Sequence, residues 1–181
     1  MFLIMATLLL GQELKISIAP TISNVHFYNY FAGATYGQPR FGISSSMDYL
    51  FVTNKKIEFG LGLGFQNSQV YLITPSSRFN DLTAVTEGVK ILSINLRSVY
   101  NLKRDFYFTL VPSLDLQVTP NDLENINNQT GLGLSIGIGN NINLNESLAL
   151  NIEPRLLLHN IIPNVAERVP YRLITTGLNL D

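Results

Sequence analysis

The sequence predicts an all-β fold, an eight-stranded antiparallel up-and-down transmembrane β-barrel. Three observations predict it: apolar and polar residues alternate along eight stretches, short connections alternate with long ones, and the polar face is rich in glycine and serine. The chain has 181 residues, enough for one domain with a sizeable core. Hydrophobic residues make up 46%, which excludes a disordered chain, and charged residues only 14%, well below the roughly 25% of soluble domains.

The first twelve residues are predicted to be a signal peptide, and residues 13–181 the barrel. Residues 1–11 form an uncharged apolar run. The run is shorter than the roughly 20 residues of a transmembrane helix but has the length of a signal-peptide apolar region. No Lys or Arg precedes it, so we expect a signal peptide that is truncated or starts upstream. The alternative is a buried first strand or a short helix.

Eight stretches alternate between apolar and polar residues. In the first, Leu14, Ile16 and Ile18 lie on one face, and Lys15 and Ser17 lie on the other. Because successive side chains of a strand point to opposite sides, this period of two predicts a strand with one apolar and one polar face. No window shows a sustained helical period. The predicted strands cover residues 14–22, 41–51, 57–66, 92–102, 106–117, 131–139, 148–159 and 171–180.

The connections between these strands alternate in length. Short, polar, turn-like connections alternate with long ones rich in Asn, Pro, Ser and aromatic residues. This alternation predicts a meander with both termini on the short-turn side, as in small outer-membrane barrels. The short connections are residues 53–56, 101–104 and 143–146, and the long ones are residues 24–39, 67–88, 119–129 and 160–169.

The residue types on the two faces favour a membrane barrel over a soluble one. The period alone cannot separate them, because exchanging inside and outside preserves it. A soluble barrel such as a lipocalin usually carries Lys and Glu on its wet face, whereas the polar face here is dominated by Gly and Ser, as at Gly60, Gly62 and Gly64. Small residues suit the narrow interior of an eight-stranded barrel. A soluble lipocalin-like barrel that binds an apolar ligand is the alternative.

Charged residues of both signs lie on the polar face and are predicted to form a polar network in the lumen. Because buried carboxylates and guanidinium groups must pair, we expect this network to have a structural role; the alternative is a gate or proton relay. On this interpretation Gly62→Ala is expected to matter less than Leu61→Arg, which places a charge on the apolar face. The network comprises Asp48, Glu58, Arg97, Asp115, Glu153 and Arg155.

Four short segments are similar to segments of a known barrel family. They are LKISIAP at 14–20, GLGLG at 60–64, VPSL at 111–114 and GLGL at 131–134. With its strands laid out, the chain resembles the PorT-like outer-membrane β-barrels common in Bacteroidota. The resemblance implies the fold and an outer-membrane location. Some members of that family are tied to protein secretion.

The predicted function is that of an exported, non-enzymatic protein of a bacterial outer membrane, whose long loops bind a protein partner or a surface ligand. Its other expected partners are the lipid bilayer of that membrane and the barrel assembly machinery. A net charge of −1 gives no electrostatic footprint for nucleic acid. The alternatives are a narrow channel and a component of a secretion apparatus.

No catalytic, cofactor or metal site is predicted. The chain has no cysteine and two histidines, which lie in or beside different long loops. An enzyme would need a nucleophile–His or acid pair near the loop end, which only Ser113, Asp115 and His159 approach. Segment 25–31 carries four aromatic residues and is either a binding surface or the top of the first strand.

Overall fold

Nine β-strands make up the described part of the chain. The computed structural model describes residues 12–27, 36–52, 56–75, 82–102, 105–119, 128–144, 149–162 and 171–180. No helix in these ranges is long and apolar enough to cross a bilayer. The strands are β1 Gln12–Phe27, β2 Tyr36–Gln38, β3 Arg40–Val52, β4 Ile57–Pro75, β5 Leu82–Asn101, β6 Phe106–Gln117, β7 Gly131–Asn143, β8 Ala149–Leu158 and β9 Tyr171–Leu180.

Eight of these strands close into a barrel, in the ring order β1-β3-β4-β5-β6-β7-β8-β9. All pairs are antiparallel, and β1 closes the ring against β9, from Ile18 opposite Leu180 to Phe27 opposite Tyr171. The short β2 pairs with β4 past the end of β3, so it prolongs the β3 wall after a break at Pro39. The predicted fold class is therefore confirmed.

The two ends of the barrel differ. Residues 53–55, 103–104 and 145–148 connect strands at one end, which we call the short-turn end; β1 begins and β9 ends there. Residues 28–35, 76–81, 120–127 and 163–170 connect strands at the other, which we call the long-loop end.

The apolar side chains of the predicted strands point outward. On β4, Leu61 and Leu63 are 54% and 60% exposed, and on β5 Ile94 is 57% exposed, whereas Arg97 of β5 is 0% exposed and lies in the lumen. We call this outward band the apolar belt. It comprises Leu14, Ile16, Ile18, Ile22, Phe41, Ile43, Met47, Phe51, Phe59, Leu61, Leu63, Phe65, Leu92, Ile94, Leu96, Phe106, Leu110, Leu114, Leu116, Leu132, Ile136, Ile138, Leu150, Leu156, Leu178 and Leu180.

β4 and β5 continue past the apolar belt as a projecting hairpin. The prediction that residues 67–88 form a loop is wrong, because β4 runs to Pro75 and pairs there with Leu82 of β5. β2 adds to this hairpin, with Tyr36 opposite Ile73. The barrel wall is thus higher on this side.

The polarity of the two faces inverts along this hairpin. Beyond Phe65 the outward residues of β4 are the exposed Asn67 and Gln69, and the inward ones become Val70 and Leu72, which are 0% and 1% exposed. The strand was missed in the sequence because the apolar-outward pattern ends at this inversion. On β5 the exposed Thr86, Gly88 and Lys90 alternate with the buried Glu87, Val89 and Ile91.

Two sequence predictions fall at the edge of the described residues. Residues 1–11, where the signal peptide is predicted, lie outside them; Gln12 is the first residue of β1 and pairs with Phe51. Of the aromatic segment 25–31, residues 25–27 belong to β1 and pair with β9, and residues 28–31 lie outside the described ranges.

Three prolines on the outward face interrupt the backbone pairing of the barrel wall. Proline has no N–H to donate, so a ladder hydrogen bond is lost where its nitrogen faces the neighbouring strand. The interruptions lie at Pro20 between β1 and β9, at Pro112 between β5 and β6, and at Pro154 between β7 and β8.

Leu61→Arg is expected to prevent folding into lipid vesicles, because arginine at the centre of a bilayer costs about 2–4 kcal/mol. Gln69→Arg is the matched control, because it introduces the same side chain on the same strand and the same outward face. Gln69, however, lies beyond the apolar belt. Heat-modifiable migration in gel electrophoresis measures the folded fraction. Equal folding of the two variants would contradict the assigned position of the belt.

Candidate functional site in the barrel lumen

An ionic cluster fills the middle of the lumen, with Arg97 of β5 at its centre. Arg97 Nη1 donates to Asp48 Oδ2 of β3 at 3.1 Å, and Nη2 donates to Glu153 Oε2 of β8 at 2.7 Å. The three side chains are at most 2% exposed. The cluster therefore ties together three strands that lie far apart in sequence.

Glu153 receives three further hydrogen bonds, one of them from Arg155 Nη2 to its Oε2 at 3.2 Å. Arg155 Nε donates to Glu153 Oε1 at 2.5 Å, and Thr109 Oγ1 donates to the same oxygen at 2.6 Å. With its amide oxygen facing the guanidinium, Asn179 accepts from Arg155 Nη1 at 2.6 Å. Two carboxylates and two guanidinium groups thus balance in charge, which is the condition for burying them.

Glycines lie directly opposite the large lumen side chains. Asp48 pairs with Gly62 across β3 and β4, and Tyr107 pairs with Gly139 across β6 and β7. A Cβ on Gly62 would overlap Asp48 Oδ1 and come within 2.8 Å of the Met47 carbonyl oxygen, and a Cβ on Gly139 would overlap the Tyr107 ring. These glycines make room for the buried side chains, so Gly62→Ala is expected to destabilise the barrel; that it does so less than Leu61→Arg stays a prediction.

Asp115 does not join the ionic cluster but forms a second polar layer nearer the long-loop end. Its Oδ2 lies 2.6 Å from His159 Nδ1, and His159 Nε2 lies 3.1 Å from Gln66 Oε1. Gln66 Nε2 donates to Ser68 Oγ at 2.7 Å and to Thr175 Oγ1 at 2.8 Å. All five side chains are buried. The layer links β4, β6 and β9 to His159, which directly follows β8.

The arrangement of Ser113, Asp115 and His159 is not that of a nucleophilic relay. Ser113 Oγ donates to Asp115 Oδ1 at 2.8 Å, on the far side of the carboxylate from His159. His159 Nε2, the nitrogen that would receive a nucleophile's proton, contacts the Gln66 amide oxygen instead. These three residues therefore form no serine–histidine pair.

Glu58 also lies apart from the ionic cluster, near the short-turn end. Its Oε1 accepts a hydrogen bond from Asn101 Nδ2 at 2.8 Å. Lys15 lies in the lumen with its Nζ 5.1 Å from the centre of the Tyr107 ring and 3.9 Å from Glu13 Oε1. Of the six predicted network residues, four form the ionic cluster: Asp48, Arg97, Glu153 and Arg155.

A cavity of about 50 Å³ lies between the ionic cluster and the second polar layer. Its walls include Arg155 and Asn179 from the cluster and Gln66 and His159 from the layer. Ser135 Oγ, which is buried, has no hydrogen-bond partner among the described residues. This volume admits roughly three or four water molecules. Seven serines line it: Ser17, Ser44, Ser45, Ser46, Ser93, Ser113 and Ser135.

An apolar layer closes the lumen at the long-loop end. Gln129 lies beside it, 0% exposed, and bridges β6 and β9: its N–H donates to Gln117 Oε1 at 2.8 Å, and its Oε1 accepts from the Leu173 N–H at 3.0 Å. The layer consists of Val70, Leu72, Val89, Ile91 and Leu173.

The predicted network omits three members of the lumen. The period of two places His159 and Gln66 on the polar face with Glu153 and Gly64, and the structure joins both of them in the second polar layer. Gln129 precedes β7 outside any alternating stretch, and no sequence signal marks it.

Gly62→Ala is expected to lower the free energy of unfolding by about 1–3 kcal/mol, the usual cost of overpacking a filled interior. Gly88→Ala on β5 is the control, because a Cβ there meets no atom within 4 Å. Urea unfolding of the folded barrel measures both. A loss as large for Gly88→Ala would contradict the steric explanation.

Arg97→Met is expected to lower the free energy of unfolding by about 3–5 kcal/mol, because it leaves buried carboxylates without their partner. Lys90→Met removes an exposed cation from the same strand and should change little. Planar-bilayer conductance on the same variants separates the alternatives: a rise in conductance without destabilisation would indicate a gate rather than a structural cluster.

Comparison with solved structures identifies the same fold in a bacterial protein. The chain aligns with Ail, the attachment invasion locus protein of Yersinia pestis, in complex with the heparin analogue sucrose octasulfate, at 14% identity and a TM-score of 0.53, over 95% of this chain and 97% of that one. A second Ail structure, without that ligand in its description, gives 14% identity and a TM-score of 0.48 over the same shares. No family model and no curated protein matches the sequence. The likeness to the first structure shows that the chain has the fold of an eight-stranded outer-membrane barrel.

Proposed function

We propose that this protein is an integral, non-enzymatic protein of a bacterial outer membrane that uses its long-loop end for binding. The observation that carries the proposal is the inversion of polarity along β4 and β5. Up to Phe65 the outward side chains of β4 are apolar and the lumen is polar; beyond it the outward Asn67 and Gln69 are polar, and from Val70 onward the inward side chains of β4 are apolar. A strand that passes from hydrocarbon into water requires this change.

The alternative of a soluble lipocalin-like barrel fits this pattern poorly. Such a barrel needs an apolar interior around its ligand and a polar exterior, whereas this lumen holds the ionic cluster and Leu63 is 60% exposed outside. Exposed apolar surface of this extent marks a surface that another apolar phase covers. The closed ring also leaves no unpaired barrel edge in that phase.

The projecting hairpin supports the binding role. The pairing of β5 with β6 ends at Lys90, whose carbonyl oxygen accepts a hydrogen bond from the Val118 N–H at 2.9 Å. From Lys90 towards Leu82, β5 has no described partner on its β6 side. Within the described ranges the edge from Leu82 to Val89 is therefore open to another extended chain. Arg40 at the start of β3 stacks 4.7 Å over the Tyr71 ring beside it. A protein segment is the ligand that this edge favours.

The Ail structure holds a heparin analogue. The charge of the long-loop end gives no reason to propose that this chain also binds a polyanion. The long-loop end carries basic and acidic residues in equal numbers. They are Arg40, Arg78, Lys90, Arg168 and Arg172 against Asp81, Glu87, Asp122, Glu124 and Glu167.

A channel, alone or in a secretion apparatus as the PorT-like resemblance implies, is the second candidate. Against it, Arg97, Glu153 and Tyr107 are each 0% exposed, so they leave no room for water around them in the lumen. The apolar layer and Gln129 close the long-loop end as well. We therefore expect a barrel that conducts no ions in its resting state.

Single-cysteine variants test the proposed membrane orientation, since the chain has no cysteine of its own. Thr86→Cys on the hairpin should react with a membrane-impermeant maleimide on intact cells. Lys56→Cys at the short-turn end should react only after permeabilisation, and Leu63→Cys in the apolar belt should react poorly in both cases. Labelling of Lys56→Cys on intact cells would contradict the orientation.

Planar-bilayer recording tests the closed lumen. The folded protein should give no steady conductance. Leu72→Ala combined with Leu173→Ala opens only the apolar layer and should leave the bilayer silent, because the ionic cluster still blocks the lumen. Steady conductance of the unaltered protein would favour the channel instead.

A further inference from the structure

Both ring nitrogens of His159 face oxygen atoms that accept hydrogen bonds. Nδ1 lies 2.6 Å from the Asp115 carboxylate, and Nε2 lies 3.1 Å from the amide oxygen of Gln66. A neutral imidazole carries one N–H and satisfies one of these acceptors, whereas an imidazolium donates from both nitrogens. The side chain is only 4% exposed, so bulk water does not supply the missing bond. The geometry of the second polar layer therefore suits a charged histidine.

The orientation of the Gln66 amide is fixed by hydrogen bonds on its other side. Gln66 Nε2 donates to Ser68 Oγ at 2.7 Å and to Thr175 Oγ1 at 2.8 Å. Ser23 Oγ donates to Ser68 Oγ at 2.8 Å and lies 2.9 Å from Thr175 Oγ1, which is able to donate to it. Each of these four contacts then contains one hydrogen: two come from the amide, one from Ser23 and one from Thr175.

This hydrogen count fails when His159 loses the proton on Nε2. The bare nitrogen then accepts, so it faces the Gln66 amide oxygen as a second acceptor unless the amide rotates by half a turn. After that rotation the hydroxyls of Ser68 and Thr175 must both donate to the amide oxygen. No hydrogen remains for one of the two contacts of Ser23. Deprotonation therefore costs this layer one buried hydrogen bond, with or without the rotation.

The second polar layer lies at the base of the projecting hairpin. Gln66 and Ser68 are the last polar inward side chains of β4 before the apolar layer begins. Through the contacts above they are tied to Ser23 of β1 and Thr175 of β9, two strands that do not pair with β4 in the described sheet. The proton of His159 therefore bears on how firmly the hairpin is held to the opposite side of the barrel.

The charge that stabilises an imidazolium at this position is Asp115 of β6, the titratable group in contact with His159 among the described residues. Arg155 of β8 lines the same cavity, and its charge is paired with Glu153. Glu87 of β5 is separated from this height by two residues of the apolar layer. β7 has no charged residue, and the neighbours of His159 on β4 and β9 are uncharged.

We propose that His159 is an imidazolium in the folded barrel and that its proton holds the base of the projecting hairpin in place, so that the hairpin loosens as the pH rises and the proton leaves. This pH-sensitive switch goes beyond the proposed function. It concerns hydrogen bonds inside the folded barrel, and it holds whether or not the hairpin binds a partner. Its tests use the barrel folded in detergent micelles, so their failure would leave the membrane location untouched.

Nitrogen-15 NMR of the imidazole ring tests the charge of His159. His26→Gln leaves His159 as the only histidine of the chain, which assigns the ring signals. At about pH 6 both ring nitrogens should carry a proton, because a buried histidine without an anionic partner would be neutral there. A ring with a single N–H at this pH would overturn the proposal.

Hydrogen exchange of backbone amides tests the effect on the hairpin. Between about pH 6 and about pH 8, histidine is the side-chain type of this cysteine-free chain that ordinarily changes its charge. After correction for the intrinsic pH dependence of exchange, protection of residues 68–73 and 84–89 should fall about tenfold, the effect of one lost hydrogen bond. Protection of residues 57–63, in the apolar belt, should not change.

His159→Gln has no charge at any pH, so its hairpin should show the lower protection at both pH values. His26→Gln is the matched control, because it removes the other histidine and should keep the tenfold change. Heat-modifiable migration verifies folding. If His159→Gln does not fold, the ring signals and the exchange of His26→Gln still decide.

Three results would overturn the switch. The first is equal hairpin protection at the two pH values in the unaltered protein. The second is a pH dependence that persists in His159→Gln or disappears in His26→Gln. The third is an equal loss of protection in residues 57–63, since the pH would then act on the whole barrel rather than on the hairpin.

Discussion

An outward face of leucine, isoleucine and phenylalanine leaves the polar side chains of every strand only the lumen to occupy. Because an eight-stranded barrel encloses little space, charges placed there lose their water and must pair with one another. Arg97 meets this requirement by bonding Asp48 on one side and Glu153 on the other. The glycines opposite these side chains follow from the same shortage of room: Gly62 accommodates Asp48, and Gly137 accommodates Glu153. The pairing of the lumen charges and the position of the glycines therefore follow from one constraint, the small interior of a barrel whose outer face is apolar.

The lumen is organised in layers that suit a support rather than a passage. The ionic cluster fixes distant strands relative to one another, the Asp115–His159–Gln66 layer does the same nearer the long-loop end, and the apolar layer closes the top. Above this closed body, the projecting hairpin of β4 and β5 presents polar outward side chains, and among the described residues no strand pairs with β5 from Leu82 to Val89 on its β6 side. On the proposed function, this filled barrel holds the hairpin clear of the membrane for binding outside the cell.

Most of the barrel could be predicted from the period of two, because side-chain direction in a strand is fixed by geometry. That period placed Leu61 outside and Arg97, Glu153 and Arg155 in one lumen. The period could not predict where each lumen side chain lies along the barrel axis, since that position depends on the register between strands. Glu58 and Asp115 were therefore grouped with the ionic cluster, although Glu58 pairs with Asn101 and Asp115 with His159. The hairpin beyond Phe65 could not be predicted in the same way, because the outward side chains become polar there and the apolar side chains of β4 turn to the interior.

The central claim is that hydrocarbon contacts the outward face up to Phe65 and Leu92 and ends there. Paramagnetic broadening of methyl NMR signals, with a nitroxide placed at the middle of the lipid chains, tests it most directly. The account predicts strong broadening for the methyl groups of Leu61, Leu63 and Ile94 and little for those of Val85 and Thr86, which are exposed on the projecting hairpin. Strong broadening of the second group, or none of the first, would contradict the account.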